Sequence, residues 1–242
     1  MEFIAEPGSI FYAQEPAPCQ APGPVMLLTD LIIKALAPVL PEHVAAGLPG
    51  SSWNVFLVYQ DRKTGRALVS TEALDGGWGA SSRGDGVSCI VHSAAGDFRN
   101  IPIESLENKV PVRIKRMQFG VDSGGAGEFR GGLNLLKEYE MLQDMSLSVY
   151  FDRVKTPEWG LFGGADGFAP KVTLFSARQP EGQVMYKIDS LSVKAGDRLI
   201  AETGGGGGFG DPRKRAASLI EEDLLNGSIS PQAAHTLYQK LP

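Results

Sequence analysis

Asp122-Ser123-Gly124-Gly125-Ala126-Gly127-Glu128-Phe129-Arg130-Gly131-Gly132-Leu133 separates two strand-like stretches, and its reading decides the fold. On its amino-terminal side Val112, Ile114 and Met117 alternate against Arg113, Lys115 and Arg116. On its carboxyl-terminal side residues 133–141 form a second apolar run. Alternation with period two marks half-buried strands, and a glycine cluster between them predicts a tight turn. Two further clusters repeat the pattern: Gly76-Gly77-Trp78-Gly79 through Arg83-Gly84-Asp85-Gly86, and Gly204 to Gly208 with Gly210. The chain has 30 glycines. Their clustering points to specific turns rather than general disorder.

Outward from these clusters the pattern is mostly strand. Residues 53–59 and 66–73 form two β-rich runs joined by a hairpin loop at 61–65, and a short strand is expected at 87–91. Later strands are expected at 146–151, 171–175, 184–188 and 198–202, with a turn at 189–193. Helical spacing appears in few places. Val25, Leu28, Leu31, Ile32, Ala35 and Leu36 recur at three and four residues, until Pro38 and Pro41. Pro102 opens a short helix with Glu104 and Glu107 in its first turns, where unpaired N–H groups favour acids. Asp211-Pro212 starts a last helical segment that Asn226-Gly227 stops, and Ser230-Pro231 starts another. Residues 1–18 read as extended. The fold class expected is α+β: a β-rich domain over 1–210 and a helical hairpin over 211–242.

Composition narrows the function classes. A chain of 242 residues with 43% hydrophobic and 21% charged residues can bury a sizeable core. The net charge of −5 gives no footprint for nucleic acid or an acidic membrane surface. The run Arg213-Lys214-Arg215 is short and reads as a solvated helix turn. Residues 25–40 are the longest apolar stretch, contain Asp30 and Lys34, and are too short to cross a bilayer. Cys19 and Cys89 fit neither a metal spacing nor a disulfide framework, and Met1-Glu2-Phe3-Ile4 does not begin a signal peptide. A reducing, cytoplasmic setting is therefore expected.

No motif supplies a complete catalytic set. Gly205-x-Gly207-x-x-Gly210 matches the dinucleotide fingerprint, but a glycine run matches many patterns. The acid expected about twenty residues later is absent, and a strand-to-helix turn is the preferred reading. Arg83-Gly84-Asp85 and Asn226-Gly227-Ser228 match an integrin tripeptide and a glycosylation sequon, both read as coincidence. Gly125-x-Gly127 with Arg130 is either an anion cradle or a glycine turn in which Arg130 pairs Asp122 or Glu128; the turn is preferred. His43, His92 and His235 are scattered and fit no metal spacing. His92 follows a strand and a glycine loop, a usual place for a functional side chain.

The order of the clusters is itself informative. Residues 72–80 with Arg83-Gly84-Asp85-Gly86, then Asn100-Ile101-Pro102-Ile103-Glu104-Ser105-Leu106-Glu107, then Asp122 to Leu133, then Trp159-Gly160-Leu161-Phe162-Gly163-Gly164, then Thr203 to Pro212 and residues 226–234 form a colinear series. The series resembles the hydantoinase B/oxoprolinase family over nearly the whole chain. It matches the second half of subunits that are typically more than twice as long. Where the family tends to carry His-x-His-Met-Thr-Asn-Thr, this chain has His92-Ser93-Ala94-Ala95-Gly96-Asp97-Phe98-Arg99.

The resemblance implies part of an ATP-dependent hydrolase of cyclic amides. Two alternatives stay open: part of an ATP-dependent ketone carboxylase, or a non-catalytic scaffold. It implies a hydantoinase A-like ATP-binding partner, a chain supplying the amino-terminal half of the B-type subunit, and a small-molecule substrate. ATP and a divalent metal would be held by those partners, with no cofactor on this chain. Glu72, His92, Asp122 and Arg130 are the candidate site residues. They lie on or beside the glycine clusters, where backbone can approach a ligand and donate to it.

Overall fold

The computed structural model describes residues 6–7, 22–50, 53–93, 95 and 100–239. The extended reading of residues 1–18, and Cys19, lie almost wholly outside them. Nine strands form two antiparallel sheets among the described residues. The first sheet has the order β2-β1-β5-β8, with β1 Trp53–Gln60, β2 Ala67–Leu74, β5 Met145–Tyr150 and β8 Lys187–Val193. The second has the order β3-β4-β9-β6-β7, with β3 Val112–Phe119, β4 Leu135–Met141, β6 Lys171–Ser176, β7 Gln179–Met185 and β9 Arg198–Glu202. Val55, Leu57 and Val149 of the first sheet join Val112, Tyr139, Val172 and Leu199 of the second in one apolar cluster. These residues recur at period two, which places one face of each sheet on a shared core. The α+β class is as expected.

Within β3 the core-facing step from Ile114 to Met117 is three residues instead of two. A bulge against β4 between Ile114 and Arg116 absorbs the extra residue. Lys137 of β4 points into the core and is 2% exposed. It is paired there with Glu72 of β2, which satisfies two charges that neither sheet could bury alone.

Three expectations for strands need correction. Among the described residues, 87–91 form no ladder: an isolated bridge joins Ile90 to Gly76, and single backbone bonds tie Val87 to Trp78 and Cys89 to Leu133. The stretch 189–193, expected to turn, belongs to β8; its bulge against β5 and the left-handed Ser190 (φ +56°) mimic a turn. The strand expected at 184–188 is divided at Tyr186, between the end of β7 in one sheet and the start of β8 in the other. β7 itself, Gln-Pro-Glu-Gly-Gln-Val-Met, lacks apolar alternation because it is an edge strand, the one place a strand tolerates proline.

The glycine clusters are the main departure from expectation. Gly204 to Gly208 have no left-handed residue among them. They run as buried chain between other glycine-rich segments and bond to them laterally. Gly77 N–H donates to the Gly204 carbonyl, Gly206 N–H to Gly132, Gly125 N–H to Gly206, and Gly208 N–H to Ala165. Trp78 N–H donates to Val87 and receives nothing in return from it, while the Trp78 carbonyl accepts from Gly132 N–H. Glycine is required here for the close approach of backbones rather than for turning. Side chains between these segments would separate the partners of buried N–H and C=O groups that have no other.

Helices flank the sheets and this bundle. α1 (Pro22–Leu36) is fastened by Asp30, whose carboxylate accepts from Leu48 N–H, Trp159 Nε1 and Arg153 Nη1 at 2.8–3.0 Å. Fully buried Glu158 stands beside Arg153, and burial, only partly opposed by that guanidinium, pushes its carboxyl up to about 8. α2 (Ile103–Lys109) starts after Pro102 as expected. Asp211 caps only a single 3-10 turn, Pro212–Lys214, and the helix proper, α3 (Ala217–Leu225), begins later. α4 (Pro231–Thr236) is capped by the Ser230 hydroxyl accepting from Ala233 N–H. Ile220, Ile229, Ala233, Ala234 and Tyr238 of this carboxyl-terminal hairpin pack with Ala126 of the glycine bundle.

Candidate functional site

The chain leaving β2 and the chain entering α2 enclose a pocket of about 420 Å³. Its walls include Asp75, Trp78, Cys89, Ile90, His92 and Asn100. The scaffold is local and rigid. Gly76 and Ile90 exchange backbone hydrogen bonds, Trp78 Nε1 donates to the Val91 carbonyl at 2.9 Å, and the Asp75 carbonyl accepts from Thr203 Oγ at 2.7 Å. Asp75 and His92 thus lie on two chain segments tied together at their neighbours.

The electrostatics of this pocket are those of a proton acceptor. Asp75 is 6% exposed; Asn100 Nδ2 donates to one carboxylate oxygen at 3.2 Å, and the other oxygen, Oδ1, has no partner among the described residues. Burial pushes the Asp75 carboxyl up to about 6, against the smaller opposing effect of the Asn100 hydrogen bond. His92, also 6% exposed, has an unpartnered Nδ1, and burial lowers its pKa, which favours the neutral ring. Burial, assisted by the Asp75 charge, pushes the Cys89 thiol up to about 12, so it is not a thiolate at neutral pH. The pocket therefore presents one bare carboxylate oxygen, Asp75 Oδ1, and one unpartnered ring nitrogen, His92 Nδ1, with apolar surface from Trp78 and Ile90 beside them.

A raised carboxyl pKa has a consequence for stability. Asp75 binds its proton more tightly in the folded chain than in the unfolded one, so its ionisation costs nothing below about pH 4 and weighs fully above about pH 6. The expected result is that Asp75→Asn stabilises the chain at pH 8 by on the order of 2 kcal/mol, allowing for solvent screening at the pocket mouth. The gain should vanish at pH 4. Urea midpoints across this pH range check it; a variant less stable than the parent at pH 8 would refute the assignment of strain to this carboxylate.

Of the four residues singled out from sequence, His92 lines the pocket. Glu72 is engaged in the sheet core with Lys137. Asp122 is left-handed (φ +59°) and its carboxylate accepts from Ser230 N–H at 2.7 Å, joining the glycine bundle to α4. Arg130 does not pair with Asp122 or Glu128. Its guanidinium meets Asp223 of α3 at 3.1 Å and Asp85 at 3.9 Å. The same two acids hold Arg215, which is 1% exposed, so the run Arg213-Lys214-Arg215 is not a uniformly solvated turn. Asp85 of the Arg-Gly-Asp tripeptide is likewise committed to this network.

Sequence reasoning passed over Asp75 and Asn100 as site residues. The available signal was an acid at the end of a strand immediately before a glycine-rich segment, a common position for functional side chains. Their convergence needed the fold, since 25 residues separate them. Among the described residues no group of three or more His, Cys, Asp or Glu could hold a metal ion. No helix among them is long and apolar enough to cross a membrane.

Residues 1–212 match the family model described as Hydantoinase B/oxoprolinase. An uncharacterised protein of Methanocaldococcus jannaschii is 34% identical over 99% of this chain and 41% of its own length. The caprolactamase subunit beta of Pseudomonas jessenii is 32% identical over 96% of this chain and 41% of its own length. The crystal structure of the ATP-dependent caprolactamase from Pseudomonas jessenii superposes with a TM-score of 0.80 at 29% identity, covering 96% of this chain and 42% of that one. A nucleotide-free acetone carboxylase superposes with a TM-score of 0.66 at 18% identity, covering 84% of this chain and 31% of that one, a likeness of fold alone. The chain spans less than half the length of these relatives.

Proposed function

The chain belongs to the hydantoinase B/oxoprolinase family, and we propose that it is the carboxyl-terminal part of the B-type component of an ATP-dependent cyclic-amide hydrolase. A hydantoinase A-like subunit is proposed to bind ATP and phosphorylate the amide oxygen, converting a poor leaving group into a good one. A further polypeptide is proposed to supply the amino-terminal part of the B-type component. The observation that carries this reading is the likeness to an ATP-dependent caprolactamase in both sequence and fold.

The residues of this chain fit a role in handling the amide and the attacking water. Asp75 Oδ1 is a buried acceptor without a partner among the described residues, and neutral His92 has one basic ring nitrogen, so each can take up a proton from an N–H or an O–H. The proposal places the metal, like ATP, on the partner polypeptides. The likeness to acetone carboxylase speaks for fold alone, so the ketone-carboxylase alternative has no observation of its own here.

The test is reconstitution. The chain is co-expressed with the A-type subunit and the amino-terminal B-type polypeptide of the same genome, and ADP release is measured with candidate substrates. The expected result is ATP turnover stimulated by a lactam, a hydantoin or 5-oxoproline, and dependent on the presence of this chain. Turnover that responds to ketones and bicarbonate instead, or that is unchanged when this chain is left out, would sink the proposal in favour of a carboxylase or a scaffold.

A further inference from the structure

We propose that the pocket holding Asp75 and His92 is the subsite for the ring N–H of a secondary cyclic amide, and that Asp75 Oδ1, by accepting that hydrogen, makes substrate recognition depend on it. The proposal rests on the cyclic-amide reading above and names the part of the substrate this chain recognises.

The argument starts from two unsatisfied atoms. Asp75 Oδ1 and His92 Nδ1 are buried without a hydrogen-bond partner among the described residues, and both side chains are more than nine-tenths buried. A buried acceptor left unpaired costs roughly 1–3 kcal/mol, and more when it is charged. Chains keep such atoms where something else donates to them. Both belong to the lining of one cavity, whose volume of about 420 Å³ lies within the range of small-molecule sites.

The chemistry of the lining says what the donor is. An acceptor calls for an N–H or O–H group, and Asn100 Nδ2, among the described lining residues, already donates to Asp75 Oδ2 and not to Oδ1. A cyclic amide carries such an N–H on an otherwise apolar ring, and Trp78 and Ile90 supply apolar surface for its methylenes. The hydrogen bond to Asp75 is charge-assisted, hence about twice as strong as a neutral one. Backbone and indole hydrogen bonds at Gly76, Ile90 and Trp78 tie together the segments that carry Asp75 and His92. A ring whose nitrogen is alkylated leaves Asp75 Oδ1 bare and places a methyl group against it. Sites built on a hydrogen bond to substrate reject analogues lacking the hydrogen far more strongly than apolar pockets reject a missing methylene.

The experiment uses ε-caprolactam, hydantoin and their N-methyl derivatives, first on the full chain and then on the reconstituted complex. Binding is followed by the imidazole carbon-bound proton signals of His92, assigned with His92→Gln. The expected result is a shift with the N–H compounds and at least about 100-fold weaker binding of the N-methyl compounds. Asp75→Asn should weaken N–H binding about tenfold at pH 8 while raising the unfolding midpoint, a combination that loss of structure cannot produce. In the complex, the same substitution should raise KM for the N–H substrate and narrow the preference over the N-methyl one. Equal binding of N–H and N-methyl compounds, an Asp75→Asn variant with unaltered affinity and selectivity, or no binding by chain and complex alike would each overturn the subsite. A complex that hydrolyses lactams with ATP yet shows no such selectivity would remove the subsite and keep the proposed function. A chain that binds N–H compounds selectively without any ATP-dependent hydrolysis would do the reverse.

Discussion

Gly205→Ala is expected to leave the chain without a stable folded state. A methyl carbon built on Gly205 would lie 2.7 Å from the Ser123 carbonyl carbon and nearer still to its oxygen, with Phe168 N at 3.2 Å. These neighbours are backbone atoms, so no side chain can rotate away. Separating the segments would also break the bond from Gly205 N–H to the Phe168 carbonyl and the bond from Phe168 N–H to the Ser123 carbonyl. Overpacking of an ordinary core costs about 1–3 kcal/mol because side chains adjust. Here the expected loss is about 4 kcal/mol or more, in the range reserved for severe single changes. Circular dichroism and urea unfolding of the purified chain check it. The control is Gly65→Ala in the β1–β2 hairpin, where no atom lies within 4 Å and the only penalty is the left-handed φ of +69°. A Gly205→Ala chain as stable as the parent would mean that the glycine segments are not packed backbone to backbone.

Asp223→Ala is expected to be the most damaging substitution outside the glycine bundle. Asp223 accepts from Arg130 Nε and Nη2 at 3.1–3.3 Å and from Arg215 Nε and Nη2 at 2.7–3.1 Å. Asp85 completes the network through Arg215, at 2.6 and 2.7 Å. Two guanidiniums thus balance two carboxylates where α3 meets the glycine bundle. Removing Asp223 leaves Arg130 with an ionic partner only at 3.9 Å. Breaking a buried pair from one side costs about 3–5 kcal/mol, because the remaining charge stays buried without compensation. For a chain of this size that corresponds to a fall in Tm of roughly 10 °C. Differential scanning calorimetry checks it, and a fall of about 2 °C would show that the network is solvated. Burial opposes the charge on Asp85, but Arg215, with Arg130 behind it, outweighs burial and holds that carboxyl below its ordinary range. The network's contribution is therefore present above about pH 4 and is lost as the pH falls through the lowered value.

Several features of the chain were legible one residue at a time. The run Val55-Phe56-Leu57-Val58-Tyr59 is rich in β-branched and aromatic residues, and that local composition marks β1 as a strand whatever surrounds it. Ser230-Pro231 starts α4 because the cap bond and the fixed proline φ are local. Edge strands were harder to read. β7 buries little, so nothing selected an apolar alternation in Gln179–Met185 that a reader could follow. The bulge in β8 put turn-like residues inside a strand.

The candidate site divides along the same line. Sequence alone determined the family outline, the strand-rich class and the capped start of α4, because each follows from local propensity, from period or from an ordered series of short motifs. The tertiary structure decided the rest. It made the glycine clusters into packed segments instead of turns, since close approach between distant backbones leaves the same letters as a tight turn. It gave Arg130 the partner Asp223, 93 residues away, in place of its near neighbours Asp122 and Glu128. It also brought Asp75, His92 and Asn100 to one pocket. Ion pairs and unsatisfied acceptors are properties of burial and distance, and burial and distance between residues far apart in the chain exist only once the chain has folded.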